Sequence, residues 1–182
     1  MIIMREIIRN PRISDNQISL NTKVPLKTVN RKRKLLESGN ILNYCAYVNN
    51  WKDGTGTFNA RAMYIISMKE GITRKQFLDT LNKDSVPITS KHVLSSFLGE
   101  AQGALALILV LESNQQEDLV DILNAEIIPQ LKRRFGEDAV RGTSSTNISD
   151  ILRILHNYLP WVNVSAGRIK KEWPDELIFV SD

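Results

Sequence analysis

The chain opens with apolar residues at helical spacing. Ile3, Met4, Ile7 and Ile8 share one face, and Pro11 stops the run. Ser14 followed by Gln17 three residues on forms a capping box, flanked by Ile13 and Ile18 as a hydrophobic staple, so a short second helix starts there. Asn21, Thr22 and Lys23 interrupt the pattern. Pro25 suits the first turn of a third helix, where its missing N–H costs nothing, and that helix reaches about Ser38 and stops at Gly39. ILNYCAYV, rich in aromatic and branched residues, reads as extended and as a candidate hairpin wing. NNWKDGTG is a turn-rich connector and marks a boundary.

Beyond the connector the apolar period shortens to that of strands. NARAMYIISM is a strand, and ITRKQF repeats the cap signature with Thr73, Gln76 and the staple Ile72 and Phe77, opening a helix to about Asn82. KHVLSSFL is a second strand and GEAQG a turn. ALALILVLE is a third strand whose nearly continuous apolar run predicts burial on both faces and a central or interface position. SNQQEDLVDILNAEIIPQLKRRFG carries the same box at Ser113 and Gln116 and reads as a long helix that Pro129 kinks or breaks. A fourth strand is expected around Ala139 to Thr146, which completes the β-α-β-β-α-β order of a ferredoxin-like unit. Ile148, Ile151, Leu152, Leu155 and Leu159 then mark an amphipathic helix ended by Pro160, with one more strand at LIFV. The expected class is α+β: a winged helix-turn-helix over residues 1–50, a ferredoxin-like domain over 51–147, and a C-terminal helical extension over 148–182.

Charge sharpens this division. Residues 1–52 hold ten Lys/Arg against three Asp/Glu, net +7, and residues 53–182 hold fourteen against seventeen, net −3, giving the chain's +4. A basic first module points to a polyanionic partner. On a wheel of the third helix with Val29 facing inward, Leu26 and Leu36 share its side and Arg33 must run its charge past apolar neighbours. Lys27, Asn30, Arg31 and Lys34 cluster opposite, with Thr28 beside them and no acid on that face. Arg and Lys suit guanine edges and phosphates, and Asn suits adenine, so these five residues are the candidate contacts to double-stranded DNA. A basic helix face is often merely solvated. The helix, turn, helix and extended-segment order is what favours DNA.

On the stretch RISDNQISLNTKVPLKTVNRKRKLLESGNILNYCAYV the chain resembles the DNA-binding half of the Lrp/AsnC (feast/famine) transcription regulators, with Gly39, Ile41, Tyr44 and Ala46 at the pattern's positions. FLGEAQGALALILVL is similar to that family's β-turn-β, with Gly99 matching its glycine and Gln102 standing where an acid is usual. The resemblance covers about residues 1–146. It implies a DNA-binding regulator that acts as a homodimer or higher oligomer, with a ferredoxin-like domain that takes a small effector near Gly99, Glu100 and Gln102. The replaced acid removes the direct partner of an amino-acid ammonium, and the tail from Ile148 has no counterpart in the family.

Other classes find less support. His92 and His156 have no catalytic or metal-ligand spacing around them, no phosphate-loop motif occurs, and no enzyme activity, metal or cofactor is expected. Cys45 reads as a small packing residue. The apolar third strand lacks the aromatics of an RNA-stacking sheet. Glu112, Glu117, Asp118 and Asp121 read as a solvated helix start, which leaves a small-ligand sensor or interaction module without DNA binding as the main alternative. Trp51, Trp161 and Trp173 are expected to anchor loops, or to close an interface if the tail helix wraps onto the second domain. With no long apolar run and Arg5, Glu6 and Arg9 near the start, the expectation is a cytoplasmic protein without a membrane partner.

Overall fold

A computed structural model describes residues 2–51, 54–83 and 90–180. The chain divides into two units, one made of the residues up to Tyr47 with those from Asp150 onward, the other of Val48–Ser149. Lys52 and Asp53 of the connector lie outside the described residues.

In the first unit, helices α1 (Ile2–Arg9), α2 (Asp15–Thr22) and α3 (Leu26–Ser38) form where the capping signals put them. Ser14 is the N-cap of α2 and its hydroxyl accepts from the Gln17 N–H at 3.2 Å. Lys23 closes α2 in the left-handed region at φ 58°, and Pro25 leads into α3. Ile3, Ile7, Ile18 and Val29 form a small core, with Ile13, Val24 and Leu42 packed on it. α3 ends at Gly39, yet it is Asn40 that takes the left-handed conformation, at φ 54°. The segment from Asn43 to Asn50, expected to be extended, has no regular secondary structure and pairs with no strand among the described residues. No wing forms there. Cys45 is exposed rather than packed.

The second unit is an antiparallel sheet, β2 (Val93–Ala101), β3 (Ala104–Ser113), β1 (Ala60–Met68) and β4 (Val140–Asn147) in that order, which is the ferredoxin-like arrangement. Helix α4 (Arg74–Lys83), α5 (Gln116–Ile122) and α6 (Ile128–Phe135) contribute to the core against one face. Tyr64, Ile66, Met68, Leu107, Leu109 and Leu111 meet Phe77, Leu119, Leu123, Ile127 and Leu131 there. β3 is central as expected but is not buried on both faces. By the strand alternation, Met63, Ile65, Ile108 and Val110 face the other side only half-covered, beside Phe97, which is 59% exposed.

Three local expectations change. The turn between β2 and β3 is two residues, Gln102 (φ 52°) and Gly103 (φ 76°), so Gly99 to Ala101 belong to the strand. The Ser113 box does not form: Gln115 is the N-cap of α5, while the Ser113 hydroxyl donates to Asp118 at 2.8 Å. Pro129 does not end the helix: a π-helical turn over Leu123–Ile127 immediately precedes α6, in whose first turn Pro129 sits.

The tail differs most. No α-helix forms over residues 148–180; Leu155 sits at φ 55° and Ile154 bridges Tyr158, which interrupts the expected amphipathic helix. Instead β5 (Val164–Ser165) and β6 (Arg168–Ile169) make a tight hairpin, and no strand forms at the expected LIFV, whose first residue ends a 3-10 turn at Asp175–Leu177. This segment is folded with the N-terminal helices, not as a third unit.

Candidate nucleic-acid interface

The α2–α3 pair is locked by one carboxylate. Asp15, in the first turn of α2, accepts from Arg33 Nε at 2.6 Å and from Asn30 Nδ2 at 3.0 Å. Arg33 is largely buried, as its inward wheel position requires, and it also donates to the Ile13 carbonyl at 2.7 Å and to the Tyr44 hydroxyl at 2.8 Å. Tyr44 in turn donates to Glu37 at 3.1 Å. Burial pushes the Tyr44 pKa up, against the lowering effect of the Arg33 hydrogen bond. The acid absent from α3's own outer face is thus supplied by α2.

Lys27, Asn30, Arg31 and Lys34 are exposed and Thr28 is half-buried. Lys27 and Asn30, with Leu26 and the α2 start at Ser14, Asp15 and Asn16, line a cleft of about 560 Å³. Here the start of α2 and Lys27 of α3 border the same space, while Arg31 and Lys34 do not line it. Among the described residues the side chains of Lys27, Arg31 and Lys34 make no hydrogen bond or ion pair, which leaves them available to a ligand. Asn30 is less free than its sequence position suggests, because its amide N–H is given to Asp15.

The proposed effector residues do not converge. Gly99, which has no side chain, and Glu100 are successive residues of β2, and Gln102 is at the turn. A cleft of about 470 Å³ in the second unit is lined instead by Phe58, His92, Asp118, Asp121 and Glu126 among others. His92 precedes β2 rather than lying in it, with Nδ1 2.8 Å from the Glu112 carbonyl and its ring against Phe58. Glu112 is no part of a solvated helix start. It is buried in β3, where its Oε1 accepts from Arg61 Nε at 2.7 Å, and Trp51 lies over the Arg61 guanidinium at 4.4 Å. Of the other tryptophans, Trp161 is exposed and Trp173 offers its carbonyl to Arg9. No group of three or more His, Cys, Asp or Glu able to hold a metal is found among the described residues, and no helix among them is long and apolar enough to cross a membrane.

No protein-family model matches the chain, and no curated protein matches it by sequence. Solved structures do match. The feast or famine regulatory protein from M. tuberculosis, complexed with L-methionine, aligns with a TM-score of 0.61 at 16% identity, covering 87% of this chain and 95% of that one. E. coli AsnC aligns with 0.58 at 15% identity, over 84% and 93% of the two chains. A transcriptional regulatory protein of the AsnC family from Pyrococcus furiosus aligns with 0.53 at 17% identity, over 82% and 86%. The fold of the chain is that of the Lrp/AsnC transcription regulators.

Proposed function

We propose that the chain is a divergent Lrp/AsnC-type regulator that binds specific duplex DNA through α3, acts as a dimer, and carries a small-effector response in its sheet unit. The observation that carries this is the exposed face of Lys27, Arg31 and Lys34 on a helix whose opposite side is tied down by the Asp15–Arg33 pair. Dimerisation is supported by the half-covered apolar face around Ile65, Ile108 and Phe97, which fits a second copy of the same face. An effector role is supported by the L-methionine bound to the M. tuberculosis neighbour. The replaced acid at Gln102 makes a different ligand class the expectation for this chain.

Substitutions along α3 test the reading. Arg31→Ala should relax preference at one base pair by about 1–3 kcal/mol, the worth of a bidentate base contact. Lys34→Ala should weaken all sequences alike and flatten the salt dependence by about one phosphate contact. Asn30→Ala should act partly through Asp15. If none of the three changes DNA affinity while the fold is intact, the recognition-helix assignment fails. The cleft at Phe58 and His92 favours the alternative of a ligand sensor that binds no DNA, and that result would select it.

A further inference from the structure

The first unit has a hairpin, but it comes from the other end of the chain. β5 and β6 are joined by Ala166 (φ 49°) and Gly167 (φ 74°), a two-residue turn whose twist matches that of the strands. The run VSAGRIKK over residues 164–171 carries Arg168, Lys170 and Lys171 and no acid. Ile169 is 2% exposed, so by strand alternation its neighbours point away from the packed side. Lys170 is tied to the Val162 carbonyl at 2.7 Å. Arg168 and Lys171 are exposed, and their side chains make no hydrogen bond or ion pair among the described residues.

What gives these two cations meaning is where they are anchored. Arg9, the last residue of α1, donates to the carbonyls of Lys170 (2.9 Å), Lys171 (3.3 Å) and Trp173 (2.8 Å) and pairs with Asp175. The Tyr158 hydroxyl donates to the Ile8 carbonyl at 3.0 Å. The hairpin base is therefore fixed at the end of α1, and a few residues further on Ser14 caps α2 at the edge of the interface cleft. Arg12, in the intervening turn, is exposed as well. An exposed hairpin tied to the end of α1, with Arg168 and Lys171 free and Glu172 the next residue, offers two cations that can pair with phosphates.

We infer that the C-terminal hairpin is a second DNA-contacting element, in which Arg168 and Lys171 neutralise backbone phosphates flanking the groove occupied by α3. It does the work expected of a wing, from a segment far from α3 in sequence. The inference rests on the DNA-binding reading above, and the experiment separates the two. The full chain, its Arg31→Ala variant and an Arg168→Ala/Lys171→Ala variant are titrated with promoter-region and random duplexes over a range of salt. The tail variant should lose roughly tenfold or more in affinity for both duplexes alike, with the slope of log K against log salt smaller by about two. Its promoter-to-random ratio and melting temperature should be unchanged, since the two side chains make no hydrogen bond or ion pair among the described residues. If the parent chain binds duplex and Arg31→Ala shifts its preference, while the tail variant keeps the parent's affinity and slope, the hairpin is only a brace and the inference is overturned. If the parent chain binds no duplex, the DNA-binding reading falls, and this inference with it.

Discussion

Asp15 is the residue on which the interface geometry turns. Arg33's inward position was legible from the wheel of α3, since it lies near Val29. Its partner was not, because pairing across two helices depends on how they cross, which local spacing does not encode. Replacing Asp15 with Ala leaves a mostly buried guanidinium without its carboxylate, and the loss of a charged hydrogen bond should cost about 1.5–3 kcal/mol in thermal or urea unfolding. A second such pair, Arg61 with Glu112, is buried at one end of the sheet. Glu112→Ala should cost about 3–5 kcal/mol by stranding Arg61, whereas a joint Arg61→Met/Glu112→Leu exchange should be close to neutral. Denaturant titration of the three variants distinguishes the cases.

At the scale of elements, capping chemistry was the most readable signal. Ser14 and Thr73 both accept from the N–H three residues on, at 3.2 Å in each case. Ser113 failed because β3 runs on through it and its hydroxyl is spent on Asp118. The tail was misread for a related reason: Ile148, Ile151, Leu152, Leu155 and Leu159 have helical spacing, but Leu152 and Leu155 remain 72% and 78% exposed and no apolar stripe is buried. What orders the tail is long-range, namely Arg9 and Tyr158 bonding across more than a hundred residues and the isolated buried Ile169 and Ile178, and helical periodicity carries no trace of it. An eight-residue helix such as α1 is marginal alone, so the tail should also hold α1. Burial raises the Tyr158 pKa above its ordinary value. Its contribution is thus complete below about pH 10 and is lost as pH rises through the folded value. Protection of α1 and of residues 158–178 against amide exchange, relative to the intrinsic base-catalysed rate, should therefore fall together in alkali. Tyr158→Phe should cost about 0.5–1.5 kcal/mol and remove this tyrosine's share of the pH dependence; an α1 whose exchange is indifferent to that substitution would contradict the bracing role.

For the whole molecule, the charge split and the change of apolar period marked the passage from helices to sheet near residue 50, but not the return of the residues from Asp150 onward to the first unit. The placement of Gly99 and Glu100 inside β2 was not legible either, since a resemblance around Gly99 does not say how far the strand runs before its turn. Assembly belongs to this scale too. Phe97→Glu, on the half-covered face, should shift the protein to monomer in sedimentation at micromolar concentration, and a parent chain that is already monomeric would refute dimerisation through this face. A two-fold dimer presents two copies of α3, so its site should be pseudo-palindromic with half-sites about one helical turn, or a multiple, apart. The central claim is specific recognition of duplex DNA. It is tested most directly by equilibrium binding of the full chain to duplex from its own promoter region against random duplex, as salt is raised. The account predicts tighter binding to the promoter duplex at every salt concentration, with affinity for both falling steeply as salt increases; equal affinity for the two, or no binding to either, would contradict it.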